Sequence, residues 1–240
     1  VNELDLAEAH ALRDAVLLGG GRVATVGGAV CFAHPHTPMT ELNRAIPVAA
    51  AVDVGAIASW FEGRDHVVSV PPGYLGLQEQ LAAYGYTAAG AWMKFRRAVE
   101  PPATATTDLR IEETRDRELF ALVSGEGSGI PADLALELSA LAGAAGWHCF
   151  VAWDGDEPAG GGALYVDGEL GWLGIGATRP AFRRRGSQSA ILAARIDAAR
   201  ALGVKRLTTE TGEQVEASYR NILRAGFAEA YLRPNWRSPA

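Results

Sequence analysis

Cysteine is nearly absent from this 240-residue chain: only Cys31 and Cys149 occur, far apart and without CxxC spacing. That excludes a cysteine metal cluster and a disulfide framework, and two buried free thiols are expected. His34 and His36, in "AHPHTP", could suggest a metal, but no metal site is expected there. The chain also lacks a basic excess. Its formal net charge is -6 and its pI about 5.4, which argues against broad nucleic-acid or anionic-membrane binding. Any anion site must therefore be local. No apolar run reaches the roughly 18 residues of a membrane span. The opening "VNELDLAEAHALRDAVLL" carries acids among its apolar positions and has no basic n-region, so it does not read as a secretory signal. A cytoplasmic location is the expectation.

What the chain does have is a 48% apolar fraction, suited to a globular protein. "EPPATATTD" offers nothing to pack and disfavours helix through Pro101 and Pro102. Residues 1–100 are thus expected to form a first lobe, 101–107 a linker and 108–240 a second lobe. In the first lobe, Leu4, Ala7, Ala11, Ala15 and Leu18 recur at helical spacing. "GGGRVATVGGAVCFAHP" reads as a strand pair or bulged strand, then come helix "VDVGAIASWFEG" and strand "HVVSVPP". Helix "LGLQEQLAAYG" and strand "YTAAGAWMKFRR" end the lobe.

The second lobe reads β-α-α-β-β-β-α-β-α-β, a mixed α+β order. Asp154-Gly155 and Asp167-Gly168 mark hairpin turns. "SQSAILAARIDAARALG" is a helix with a stripe of Leu192, Ile196 and Ala199, flanked by Ile191, Ala198 and Leu202 and stopped at Gly203. The two lobe ends echo each other. With Gly85 set on Gly226, Tyr86 meets Phe227, Phe95 meets Trp236 and Arg96 meets Arg237, which we read as a diverged duplication.

The functional signal lies in "RPAFRRRGSQSAIL", a basic knot in an acidic chain. Taken alone, three arginines before a glycine could solvate a turn, and a nucleic-acid patch would be wider than one loop. Here a strand ending at Thr178 feeds the loop, and a helix starts at Ser187 or Gln188. That aims the unpaired N–H groups of a first helical turn at the loop, where Gly186 lets an anion approach the backbone.

On Arg183, Gly186 and Gln188, this stretch resembles the [Q/R]-x-x-G-x-[G/A] signature of the GNAT superfamily of acyl-CoA-dependent N-acyltransferases, with Gln188 replacing the second small residue. "SYRNILRAGF" is similar to the family's terminal helix and its Gly-aromatic stop. The resemblance covers about the last 130 residues. It implies a mixed, mostly antiparallel twisted sheet flanked by helices, preceded by a smaller degenerate lobe of similar type. It implies acetyl-CoA as cosubstrate and no metal. Gly176, Ala177 and Thr178 on a splayed strand would face the pantetheine. The loop and helix start (Arg183, Arg184, Arg185, Gly186, Ser187, Gln188 and Ser189) would hold the pyrophosphate, and Ser218 and Asn221 would lie near the thiol end. The first lobe lacks the basic glycine loop and would bind no CoA; Trp60, Phe61, Tyr74 and Trp92 either wall the acceptor site or pack its core.

Acyl transfer to an amine needs a base, stabilisation of the tetrahedral oxyanion and an acid for the thiolate. The family's usual acid position, four residues before the terminal-helix glycine, is Ile222 here. Tyr219, one turn earlier, is the substitute acid, with packing as its alternative role. A strand carboxylate serves some relatives as base, but Trp172 stands near that place. Glu210, at the end of the next strand, is therefore the expected base, with a salt bridge or helix cap as its alternative; Glu169 and His148 rank lower. The expected activity is acetyl transfer from acetyl-CoA to a primary amine of a small molecule, by a monomer or homodimer with no nucleic-acid or membrane partner. The alternatives are a catalytically silent acyl-CoA binder or sensor, and a peptide N-acetyltransferase.

Overall fold

The computed structural model describes residues 2–37, 39–102 and 105–239. The elements are α1 (Glu3–Leu18), β1 (Arg22–Val26), β2 (Ala29–Ala33), β3 (Asn43–Pro47), α2 (Val54–Phe61), β4 (Val67–Ser69), α3 (Leu77–Ala83) and β5 (Thr87–Ala98). They continue with β6 (Arg110–Thr114), α4 (Arg117–Ser128), α5 (Ala132–Leu138), β7 (Trp147–Asp154), β8 (Glu157–Asp167) and β9 (Leu170–Thr178). α6 (Ser187–Ala201), β10 (Arg206–Gly212), α7 (Glu216–Arg224) and β11 (Ala228–Arg237) close the chain. The chain forms two compact units, one of residues 1–94, 211–214 and 230–240, the other of residues 95–210 and 215–229. Of the segment 101–107, residues 103 and 104 lie outside the described residues.

In the first unit β2 pairs antiparallel with β1 and β3, β3 runs parallel to β4, and β4 pairs antiparallel with β11. Cys31, Ile57, Phe61, Val68, Leu81 and Tyr86 pack one core cluster. Phe61 is thus a core residue, and Trp92 lies beneath the Arg44 guanidinium. Strand β3 has no counterpart in the sequence reading. All five of its residues are buried, yet Asn43, Arg44 and Pro47 break any apolar alternation. Arg44 can be buried because Glu8 of α1 accepts its N–H at 3.0 Å. The same pairing corrects the expected face of α1. Leu18 is exposed, whereas Asp5 and Glu8 are buried. Glu8 also accepts hydrogen bonds from Lys94 and Arg233, and Asp5 from Arg233 and Tyr231.

In the second unit the strand order is β10-β9-β8-β7-β6. β6 to β9 are antiparallel neighbours, and β9 and β10 are parallel. The β7–β8 and β8–β9 turns fall where Asp-Gly predicts them, with Gly155 and Gly168 at positive φ. The glycine run of β8 lets helices pack on both faces. A Cβ at Gly161 would lie 2.7 Å from Val123 of α4, and one at Gly162 2.9 Å from Ile191 of α6. On α6, Ile191, Leu192, Ile196 and Ala199 are buried as the stripe predicts, but Leu202 is exposed and Arg195 is buried.

The echo between the lobe ends extends to backbone geometry. Tyr86 N–H donates to Leu81 O and Gly85 N–H to Ala82 O; Phe227 N–H donates to Ile222 O and Gly226 N–H to Leu223 O. Both are Schellman closures with the glycine at positive φ, followed by a buried aromatic.

Candidate active site

The site is built on an opening between two parallel strands of the second unit. β9 and β10 pair only at Leu170–Arg206, Gly171–Leu207 and Trp172–Thr208, although β9 runs on to Thr178 and β10 to Gly212. Beyond Trp172 the two strands form a fork. On its other side β9 carries a bulge against β8. Ala163 pairs with Gly174 and Gly161 with Ala177, so Ile175 and Gly176 together face Gly162. Ile175 takes φ +54 there, a conformation in which β-branched residues are outliers. The bulge turns the end of β9 out of the regular ladder.

Thr178 leads into the arginine loop, and α6 follows from its N-cap Gly186 at φ +80 without a side-chain cap. Ala190 N–H donates to Gly186 O, which leaves the amides of Ser187, Gln188 and Ser189 ahead of the helical ladder. The Ser187 hydroxyl is buried and has no hydrogen-bond partner among the described residues. These groups suit a phosphate oxygen at the positive end of a helix.

The three arginines divide. Arg185 is committed to Asp154 (2.5 and 3.0 Å) and Asp108 (2.5 Å), which hold its guanidinium protonated and in turn hold both carboxyls below their usual range. Arg183 makes two long contacts among the described residues, to Thr178 O and Gly127 O at 3.4 Å. Arg184 is exposed and at φ +64. Gly186 has a structural reason as well, since a Cβ there would lie 2.6 Å from Thr106 O. The Gln188 amide turns back onto β9, donating to Ala177 O at 2.6 Å and Thr178 Oγ1 at 3.1 Å. Gly176 admits it, as a Cβ there would sit 2.8 Å from Gln188 Oε1. The amide thus occupies a place that a small residue would leave empty.

At the fork, Glu210 on β10 is half-buried, and Trp172 Nε1 donates to its two oxygens at 2.9 and 3.1 Å. The Trp172 ring lies over Gly174, where a Cβ would come within 1.8 Å of it, and meets Trp147 edge-on at 6.2 Å. The indole contact is a role for Glu210 that stands beside the salt bridge or helix cap weighed from the sequence. Tyr219 is half-buried, its ring edge-on to Phe95 at 5.3 Å, which gives it a packing role. Ile222 is buried. Ser218 is half-buried, and the Asn221 side chain accepts from Arg224 at 2.7 Å. Glu169 is exposed at the start of β9, away from the fork, and His148 pairs with Glu113 at 2.8 Å.

Sequence reasoning missed the indole–carboxylate contact, Arg195 and the tasks of the β8 glycines. The run "GGG" inside the strand that became β8 was the available signal, because successive glycines within a strand imply close approach on both faces.

A sheet forked beside a bulge, with an uncapped helix start at its mouth, is now joined by an independent finding: residues 112–227 match the model of the acetyltransferase (GNAT) family. Residues 112–227 are a GNAT acetyltransferase domain. The GNAT fold extends over nearly the whole chain. A GCN5-related N-acetyltransferase from Kribbella flavida is similar with a TM-score of 0.69 at 15% identity, over 97% of this chain and 96% of that one. A GCN5-related N-acetyltransferase from Sphaerobacter thermophilus gives 0.61 at 14%, over 88% and 80%. A tandem GNAT protein from the clavulanic acid biosynthesis pathway gives 0.60 at 14%, over 90% and 80%. No curated protein matches the chain. The GNAT family supports acyl transfer as the chemistry of this domain. Among the described residues no helix is long and apolar enough to cross a membrane, and no group of three or more His, Cys, Asp or Glu could hold a metal ion.

Proposed function

We propose that the protein transfers the acetyl group of acetyl-CoA to a primary amine of a small molecule in the cytoplasm, by direct attack of the amine on the thioester. The observation that carries this reading is the fork between β9 and β10, which opens directly after Trp172 and Thr208 with Glu210 on the departing strand. Open strand edges there can pair with the amide groups of pantetheine as an added strand would. The amides of Ser187, Gln188 and Ser189, the Ser187 hydroxyl and the exposed Arg183 and Arg184 offer donors and charge for the pyrophosphate. Gly176, Ala177 and Thr178 line the route between these two parts, and Ser218 and Asn221 are assigned to the thiol end.

In the reaction the amine nitrogen bonds to the acyl carbon, the carbon–sulfur bond breaks and CoA leaves as thiolate. Glu210 accepts the proton shed by the amine, directly or through one water. Trp172 holds that carboxylate in one orientation. Ile222, buried at the usual acid position, cannot protonate the departing thiolate; Tyr219, one turn earlier with its ring packed on Phe95, is the acid assigned to that step.

The test is to titrate the protein with acetyl-CoA by calorimetry, then to follow free-thiol release across a panel of small primary amines and short peptides. Binding with turnover on free amines is expected. Binding without turnover on any amine would instead establish a silent acyl-CoA binder, and no binding would overturn the reading.

A further inference from the structure

Beneath the fork lies a charged group that neither packing nor ion pairing explains. Arg195, on α6, is 3% exposed. It makes no ion pair among the described residues, and its hydrogen bonds all go to backbone carbonyls. Nη1 donates to Ala163 O at 2.9 Å and to Gly174 O at 3.0 Å, and Nε to Ile191 O at 3.4 Å. Cys149 is nearby, but burial pushes its thiol up to about 12, so it brings no negative charge at neutral pH. Burial likewise pushes the guanidinium down to about 9. Burying a cation without a counter-charge is expensive, and an aliphatic side chain would fill the space at lower cost.

The location of the two Nη1 acceptors supplies a reason. Ala163 and Gly174 are the paired residues immediately before the bulge, where the strand ladder is interrupted and carbonyls lose regular partners. Gly162, opposite the bulge, makes room for the guanidinium, since a Cβ there would lie 3.0 Å from Arg195 Cζ.

The direction of the peptide groups extends the argument. Leu173 O accepts from Thr209 Oγ1 of β10 at 2.7 Å, so it points into the fork. Successive carbonyls of a strand point to opposite sides, which turns Gly174 O away from the fork and onto Arg195. In a trans peptide the N–H lies opposite the C=O. The N–H of Ile175, in the same peptide plane as Gly174 O, therefore faces the fork. A cation bonded to the carbonyl end of a peptide strengthens its N–H as a donor.

We propose that Arg195 is a positioning residue for acyl transfer: from under the sheet it pins the β9 bulge and polarises the Gly174–Ile175 peptide, so that the Ile175 N–H becomes a strengthened donor to the acyl carbonyl in the fork. This rests on the fork being the acyl-CoA site. The charge acts through the peptide group and touches no substrate.

The test uses the full chain and acetyl-CoA labelled with carbon-13 at the carbonyl, read by infrared difference spectroscopy. In the wild type the carbonyl band of the bound thioester is expected at lower frequency than in free acetyl-CoA. Arg195→Gln, which keeps a donor but loses the charge, should move the band back towards the free position. Arg195→Lys, which keeps the charge, should hold it near the wild-type position. An unchanged band in Arg195→Gln would overturn the proposal while leaving the acyl-CoA reading intact; a wild type that binds no acetyl-CoA would overturn both. The wild type alone supplies a second measurement if the variants do not fold. The Arg195 guanidinium nitrogen-15 resonances should differ between the acetyl-CoA and CoA complexes, and identical resonances would overturn the proposal.

Discussion

The indole Nε1 of Trp172 donates to both carboxylate oxygens of Glu210, at 2.9 and 3.1 Å, across the point where β9 and β10 part. The contact fixes the direction of the carboxylate. Glu210→Gln is expected to lower amine-acetylation turnover by about 100-fold or more, the usual scale for losing a general base. Trp172→Phe keeps the ring and removes the donor, and is expected to cost about tenfold, the scale of one hydrogen bond to a charged group. Neither change should alter acetyl-CoA affinity measured by calorimetry. Gly174→Ala would drive a Cβ into the indole, so its loss of turnover should exceed that of Trp172→Phe.

Arg184 and Arg185 are neighbours with different work to do. Arg184 is exposed, and Arg184→Ala is expected to weaken CoA binding a few-fold at low salt, with less effect as ionic strength rises and screening grows. Arg185 is held by Asp154 and Asp108, so Arg185→Ala should lower the melting temperature. Calorimetric titrations at two salt concentrations, alongside thermal melts, separate the two effects.

Arg44, Lys94 and Arg233 all bond to Glu8, and all four side chains are buried. Cations on either side hold its carboxyl well below the usual carboxylate range against the opposing effect of burial. Glu8→Ala would leave three buried cations around a cavity. Its expected cost is about 3–5 kcal/mol, read as a lower midpoint in urea unfolding. A loss within experimental error would show that water or rearrangement can replace the carboxylate.

His66 couples stability to pH. Its Nδ1 donates to Arg64 O at 2.7 Å, so the neutral ring accepts the Tyr86 hydroxyl at Nε2, also at 2.7 Å; Phe61 stacks on its face at 3.8 Å. Burial pulls its pKa below the ordinary value, and Arg64 O and Asp65 oppose this only in part. The unfolded chain takes up the proton near pH 6.5, the folded protein only at lower pH. The unfolded state therefore binds more protons between those two values, and stability rises with pH across that window. The contribution is present above about pH 6.5 and is lost as pH falls through the folded value. Melting temperatures at pH 7.5 and 5.5 should differ more for the wild type than for His66→Gln.

Much of this protein was legible without coordinates where a local rule applied. The Asp-Gly turns, the glycine stops at Gly85, Gly203 and Gly226, and the strand–loop–helix unit around Arg183 to Ser189 all follow from residues within a few positions of one another. Strand β3 was not legible, because Arg44 reads as polar until Glu8, 36 residues earlier, is placed beside it. The same holds for α1, whose buried Asp5 and Glu8 look like a solvated face in a helical projection.

The candidate site divides in the same way. Local sequence determined the helix start after Gly186 and the basic loop before it, because backbone N–H orientation at a helix terminus depends only on where the helix begins. Tertiary structure decided which arginine stays exposed, since Asp108 and Asp154 reach Arg185 from 77 and 31 residues away. It also decided that Glu210 meets Trp172 and that Arg195 lies under the bulge. Those pairings depend on the register of β8, β9 and β10 and on the Gly162 and Gly174 surfaces that let bulky groups close in. Such contacts join residues far apart in sequence, and no spacing along the chain encodes them.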